Sequence, residues 1–286
     1  MIYDGLIIIR GGGDLATGTI YRLWKSGFRL LVLEAENPAA IRRAVAVSEA
    51  VFQGKTQVED MTAVLIRDAG EADRVIDAGQ IPVLVDPAGE CIARLKPAAV
   101  IDAILAKRNL GTHRGMAPLT VALGPGFTAG ADVDYVVETK RGHQLGRIIR
   151  EGQAIPNTGI PGLIGGYGAE RVIHAPASGT LRAVRKIGDL VTAGELIAEI
   201  WTGEPGGNKE QAGNGVQGGT RIPVPASLTG VLRGLIRDGY PVKKGLKIAD
   251  IDPRKEEQKN CFTISDKSRS IGGSVLEILC RELLNH

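Results

Sequence analysis

The stretch Leu6 to Leu23, LIIIRGGGDLATGTIYRL, constrains this chain more than any other. Four apolar residues, Leu6 to Ile9, run into Arg10 and three glycines, and an amphipathic run begins near Leu15. That order reads as strand, tight turn, helix. The glycines fit the dinucleotide pattern as Gly11-x-Gly13-x-x-Ala16. A backbone without Cβ can turn sharply and let a pyrophosphate reach the amides, and a helix start adds unpaired N–H groups. A second strand, Leu30 to Leu33, ends at Glu34, 18 positions after Ala16, where an acid would hold a ribose hydroxyl. Asp14 lies inside the loop, where its charge would repel a phosphate; the sequence reads it as the helix N-cap.

At roughly 100–200 residues per domain, 286 residues suggest two domains. A net charge of +3 and 4% aromatics give neither a basic stripe nor stacking surfaces, which argues against nucleic acid. No apolar run approaches the ~18 residues of a membrane span, and the N-terminus goes straight into a strand, so a cytoplasmic protein is expected. Cys91, Cys261 and Cys280 are far apart and odd in number, and read as reduced thiols. The four histidines show no metal-ligand spacing, and no metal is expected.

Beyond Glu34, Asn37-Pro38 is expected to open a helix carrying Arg42 and Arg43, which would face a phosphate at the glycine loop. Ala50 to Gln57 and Ala63 to Ile66 look extended, and Glu71 to Ala78 looks helical. Ile81 to Val85 and Ala98 to Ile101 look like buried strands. The alternation predicts a parallel, doubly wound sheet. Leu119 to Leu123 then runs into GPGFTAG, where Gly124 and Gly126 again bare the backbone at a strand end. Val133 to Val137 ends in ETKRGHQLGR. Ligands of open α/β sheets sit beyond the carboxyl ends of strands. Lys107, Glu138, Arg141 and His143 are therefore the candidate catalytic residues. Gly11, Gly12, Gly13, Ala16, Glu34, Arg42, Arg43, Gly124 and Gly126 are the candidate cofactor-binding residues.

Residues 151–170, rich in Gly and Pro, read as a connector whose Asn157 and Thr158 are within reach of a ligand if it folds back. An internal repeat follows. Gly179 to Ile200 and Gly230 to Ile251 align without gaps, 51 positions apart, each with short strands around Gly-x-x-Val-x-x-Gly turns. The pattern resembles the halves of a biotinyl/lipoyl-type domain, the barrel-sandwich hybrid. In such domains the modified lysine sits between the halves. Here the connector's one lysine, Lys209, lacks the usual flanks, and a structural barrel is expected instead. The fold expected is thus α/β: a Rossmann-like parallel-sheet domain over 1–150, a small all-β barrel over 171–254, and a C-terminal segment over 255–286. Its helix, from about Ser274, is expected to pack on the first domain and bring Lys267 and Arg269 toward the crevice.

IRGGGDLATG, ENPAAIRRAV, DAILAKRN, GPGFTAG, ETKRGHQLGR, KIADIDPR and ISDKSRSIGG together resemble the accessory proteins of selenium-dependent molybdenum hydroxylases, the YqeB family. The N-terminal half is more loosely similar to the accessory factors of xanthine dehydrogenase. The resemblance implies a role in maturing a molybdenum hydroxylase apoenzyme, with a phosphorylated small molecule, a molybdopterin-type cofactor or a nucleotide, as ligand. Two alternatives stay open: an NAD(P)-dependent oxidoreductase, and a non-enzymatic docking protein for the hydroxylase. Whether Cys91 carries sulfur or selenium, whether the chain forms a homo-oligomer and whether it catalyses any reaction are also open at this stage.

Overall fold

A computed structural model describes residues 3–157, 159, 162–203 and 219–284. Thr158 and Lys209 lie outside the described residues. The chain divides into two compact units, Met1–Gly159 with Phe262–His286, and Ile160–Cys261.

The first unit begins with β1 (Tyr3–Arg10), α1 (Asp14–Lys25) and β2 (Phe28–Glu34). It continues through α2 (Ala50–Gln53), β3 (Lys55–Val58), β4 (Met61–Ile66), α3 (Ala72–Asp77), β5 (Ile81–Val85), α4 (Cys91–Leu95) and β6 (Ala99–Asp102). Then come β7 (Leu119–Leu123), β8 (Thr128–Ala129), β9 (Tyr135–Val137), β10 (Ile148–Ile149) and β11 (Gly152–Gln153). Among the described residues nine of these strands form one sheet, in the order β10-β9-β7-β6-β1-β2-β5-β4-β3. β1 pairs in parallel with both β2 and β6, so the order reverses at its carboxyl end.

The expectation of a Rossmann-like parallel sheet is corrected here. The sheet is mixed: β3 runs antiparallel to β4 at one margin and β10 antiparallel to β9 at the other. The first reversal needs only a two-residue turn, Glu59-Asp60, with Glu59 at a φ of 53°. Such a turn joins antiparallel strands but cannot support a parallel crossover. The expected helix after Pro38 is also absent. Residues 43–49 form two short 3₁₀ turns, because their amides are spent elsewhere: Val47 N–H donates to Thr17 Oγ1 and Ser48 N–H to the carbonyl of Gly12. Ala50 to Gln53, read as extended, is a single helical turn.

The helix α5 (Asp266–Leu283) completes this unit. It begins eight residues earlier than the sequence suggested, capped by Ser265, whose Oγ accepts from Ser268 N–H. Gly272 sits inside the helix and not before it. A Cβ there would fall 2.7 Å from the carbonyl of Gly18, and one on Gly18 would fall 2.6 Å from the backbone of Ser268. The two glycines let α1 and α5 cross in backbone contact. Ile271, Val275, Ile278 and Leu279 join Ile7, Ile9, Ile20 and Leu23 in the core beneath them. At about 1.5–3 kcal/mol for each fully buried aliphatic side chain, this face is ample to hold α5 down.

The second unit contains β12 (Val172–His174), β13 (Gly179–Ala183), β14 (Leu190–Val191) and β15 (Leu196–Trp201). It also holds β16 (Arg221–Pro225), β17 (Gly230–Leu235), β18 (Pro241–Val242) and β19 (Lys247–Asp252). The expected barrel-sandwich hybrid is likewise corrected: among the described residues these strands form two separate four-stranded antiparallel sheets, β12-β19-β17-β14 and β16-β15-β13-β18. Each repeat lends its short middle strand to the other's sheet, β14 to β17 and β18 to β13. This exchange gives the repeated glycine turns their common pattern. Leu181, Ile197, Ile200, Leu232, Ile248 and Ile251 fill the core between them. Among the described residues no helix is long and apolar enough to cross a membrane.

Candidate functional site

The glycine bend after β1 is packed by the chain itself. Gly11 has a φ of +96° and donates to the carbonyl of Leu33 at 2.7 Å. A Cβ on it would meet the carbonyl oxygen of Ala103 at 2.8 Å, so this glycine serves the close passage of the segment after β6. Gly12 N–H donates to Glu34 Oε2 at 2.7 Å, and Ala35 N–H to Glu34 Oε1 at 2.7 Å. The carboxylate of Glu34 thus takes the amide that a phosphate would use. Its burial pushes the acid's pKa up, against the pull of the two amides. Ala16 lies in the core. Gly13 differs: a Cβ there would meet nothing within 4 Å, and no side chain caps the amides of α1 that follow. Asp14, expected as the cap, is the first helical residue.

Arg42 and Arg43 are engaged within the unit. Arg42 is 8% exposed, donates to the carbonyl of Thr263 and lies 3.8 Å from the Asp14 carboxylate. Arg43 lies 4.0 Å from Glu49. Lys107 is exposed on the loop after β6, at a φ of +62°. Gly126 passes against the backbone of Arg108, and Gly124 against the Thr139 hydroxyl, both at positive φ and both tighter than any Cβ permits. These two glycines fit strand-end loops together.

The later charged residues separate into different roles. Glu138 is 2% exposed and accepts from the amides of Lys140 and Ile155, both at 2.7 Å, which pins the loop after β9 from within. Arg141 forms a two-pronged pair with Asp266, at 2.7 and 3.2 Å. His143 is exposed on the same loop. Ser274 Oγ donates to the carbonyl of Gly146 at 2.5 Å, and Ser268 Oγ to the carbonyl of Asp14 at 2.8 Å. The loop after β9, the start of α1 and the start of α5 are therefore fixed to one another.

Lys267 lies inside that frame. Its side chain is half-buried. Burial lowers its pKa from the usual lysine value, and Arg141 lowers it further, while Asp14, Glu138 and Asp266 pull the other way. Arg269, expected beside it, points elsewhere and pairs with Glu59 at 2.7 and 2.8 Å. Lys267, Asp14, Arg141 and Asp266 thus form a charged group at the carboxyl edge of the sheet, the sequence having brought α5 and Lys267 there while leaving Asp266 unremarked. Beneath the same edge lies a buried network. Arg10 donates to Thr112 Oγ1, Thr112 Oγ1 donates to Asp102, and burial pushes the Asp102 carboxyl up.

Cys91 is buried beside Asp86, and both effects push its thiol up to about 12, so it is a poor nucleophile. Among the described residues no three His, Cys, Asp or Glu side chains are grouped to hold a metal ion.

No protein-family model matches the chain. It is 49% identical over 274 residues, 96% of its length, to a protein of Escherichia coli (strain K12) named "uncharacterized protein YqeB". The chain is a relative of YqeB. It spans about half of YqeB's length, 47%. Among solved structures, the ectoine utilization protein EutE (DoeB) from Ruegeria pomeroyi is 10% identical, with 86% of each chain covered and a TM-score of 0.25. A succinylglutamate desuccinylase from a Silicibacter species is 12% identical, covering 86% of this chain and 84% of the other at a TM-score of 0.27.

Proposed function

We propose that this YqeB relative is an accessory factor in the maturation of a selenium-dependent molybdenum hydroxylase, and that it holds a phosphorylated small molecule, a molybdopterin-type cofactor or a nucleotide, for modification or insertion. The 49% identity to YqeB supports kinship with that protein, and the maturation role rests on the motif resemblance of the sequence. The observation that carries the binding half is the frame around the start of α5, where the half-buried Lys267 is flanked by Ser268, tied to the Asp14 carbonyl, and by Asp266, paired with Arg141. A partly buried cation at such a place favours an incoming anion.

The NAD(P) reading loses its main support at the glycine bend. Glu34, the acid meant for a ribose hydroxyl, already accepts from two amides, and the buried segment Val45 to Ala50 covers the same bend.

The test is anaerobic purification of the chain from a host that makes such a hydroxylase, followed by mass spectrometry and molybdenum and selenium analysis. A phosphorylated pterin or nucleotide should accompany the protein, and deletion of the gene should leave the hydroxylase inactive while its polypeptide accumulates. Full hydroxylase activity in the deletion strain would refute the proposal.

A further inference from the structure

We infer that the loops after β6 and β9 form a docking surface for an acidic segment of a partner protein, one that interleaves carboxylates with aliphatic side chains. The surface lies outside the proposed function and needs no phosphorylated ligand to act.

Charge is segregated here. The whole chain is nearly balanced, with 35 basic residues against 32 acidic, yet residues 103–131 contain no Asp or Glu, and residues 139–150 contain none either. The first stretch holds Lys107, Arg108 and Arg114, and the second holds Lys140 and three arginines. Arg114 pairs with Asp134 and Arg141 with Asp266, while Lys107, Arg108 and Lys140 are exposed. The acids that border these stretches, Asp102 and Glu138, are each 2% exposed and bonded inward. Neither carboxylate reaches the surface to balance the three cations.

The loops are held together before any partner arrives. Thr112 Oγ1 donates to Asp102 at 2.6 Å and so closes the ends of the loop that carries Lys107 and Arg108. Gly126, in the loop after β7, passes this loop so closely that a Cβ would fall 2.7 Å from Arg108 Cα. A Cβ on Gly124 would fall 2.6 Å from the hydroxyl of Thr139, the residue before Lys140. Glu138 then joins Lys140 to Ile155, accepting from both amides at 2.7 Å. A partner that binds such a frame spends little on ordering it. Leu105 and Lys107 stand at φ values of 60° and 62°, a region that side chains rarely adopt. Backbone of that kind persists where its surroundings fix it, and it gathers at loops that contact ligands.

The side chains say which partner fits. Leu110 is 43% exposed on the Lys107 loop, and Ile155 is 38% exposed at the anchor it shares with Lys140. Cations steer a carboxylate-bearing segment to the surface, and the two aliphatic residues give it apolar contact once there. Residues 103–118 and 138–157 contain no Phe, Tyr or Trp, so nucleic-acid bases would find nothing to stack on.

The experiment uses the full chain and fluorescein-labelled peptides that alternate glutamate with leucine, glutamate with serine, or lysine with leucine; polyuridylate RNA is a further arm. Anisotropy should show the glutamate–leucine peptide bound, with affinity falling about tenfold or more as salt rises from about 0.05 to 0.5 M. The glutamate–serine peptide should bind about threefold or more weakly than that, and the lysine–leucine peptide not at all. Lys140→Glu, and Lys107→Glu with Arg108→Glu, should each weaken binding about fivefold or more, whereas Lys55→Glu, on β3 at the opposite margin of the sheet, should change it less than about twofold. In unaltered protein, which needs no variant to fold, the peptide should slow amide exchange across residues 103–113 and 139–147. Failure to bind the glutamate–leucine peptide, binding indifferent to salt or to replacement of leucine by serine, exchange unchanged in both loops, full binding by folded charge-reversed variants, or a tighter hold on RNA would each overturn the inference. No pterin, nucleotide or hydroxylase enters the assay, so its failure leaves the maturation role to be judged by the deletion strain alone.

Discussion

The hydroxyl of Ser268 donates to the backbone oxygen of Asp14 at 2.8 Å, across 254 positions of sequence. It marks the place where α5 meets α1, and the contact depends on Gly18, whose missing side chain leaves room for the Ser268 backbone at 2.6 Å. Backbone cannot yield as a side-chain tip can. Gly18→Ala should therefore destabilise the first unit by about 1–3 kcal/mol through overpacking. Urea unfolding checks this. An unchanged midpoint would mean that the two helices slide apart without cost.

Glu34 holds two amides at once, those of Gly12 and Ala35. Glu34→Ala leaves both without an acceptor in a largely buried place, at a cost of about 1–3 kcal/mol for each that water cannot reach. Glu34→Gln, which keeps one acceptor oxygen, should lose less. Denaturant titration of the two variants gives the ranking, and equal stability of Ala and Gln would show that water replaces the carboxylate freely.

Asp102 gives a pH dependence whose sign follows from its burial. Its carboxyl is pushed above the ordinary value of 3.8, chiefly by desolvation, against the hydroxyl of Thr112, the amide of Ile104 and the charge of Arg10. The folded state therefore holds this proton more tightly than the unfolded chain does. The associated stabilisation is fully present below the ordinary value and is lost as pH rises through the folded one. Relative to Asp102→Asn, the unaltered protein should lose unfolding free energy as pH is raised from about 3.8 through that window. Parallel curves for the two proteins would contradict it.

Cys91 should resist alkylation. With its thiol pushed up to about 12, it holds little thiolate at pH 8. Cys280 is partly exposed, whereas Cys91 and Cys261 are buried. Iodoacetamide on native protein should mark Cys280 first, as peptide mapping would show. Early labelling of Cys91 would reopen its candidacy as a sulfur or selenium carrier.

The sequence signalled its local elements well where one period dominated. Leu6 to Ile9, Leu30 to Leu33 and Leu119 to Leu123 lie in strands, and the glycine bend stands between β1 and α1. What it concealed were choices made between distant segments. Nothing local says that β3 turns back on β4 at Glu59-Asp60, so the sheet was read as parallel throughout. Gly272-Gly273 looked like a helix start because glycine is costly in helix interiors, yet crossing α1 outweighs that cost at Gly272. The repeat was legible as a repeat, but the exchange of β14 and β18 between two sheets is a pairing decision that self-similarity cannot reveal.

The candidate site was less legible for the same reason. Residue type and position at strand ends drew attention to Lys107 and His143, both of which lie on exposed loops, and to Glu138, which is turned inward on backbone amides. Arg141 does stand at the frame, through its pair with Asp266. The sequence could bring α5 toward the crevice but could not tell Lys267 from Arg269, two positions apart on one helix. Glu59 decides between them, by claiming Arg269.

The Ser268–Asp14 tie also bears on synthesis. The whole stretch Ile160–Cys261 must be synthesised before the residue that ties α5 to Asp14 is made. At 5–20 residues per second, those 254 positions take about 13–50 s, during which the nascent α1 waits without the helix that packs on it. Premature termination anywhere upstream therefore yields a first unit whose Gly18 faces no partner helix.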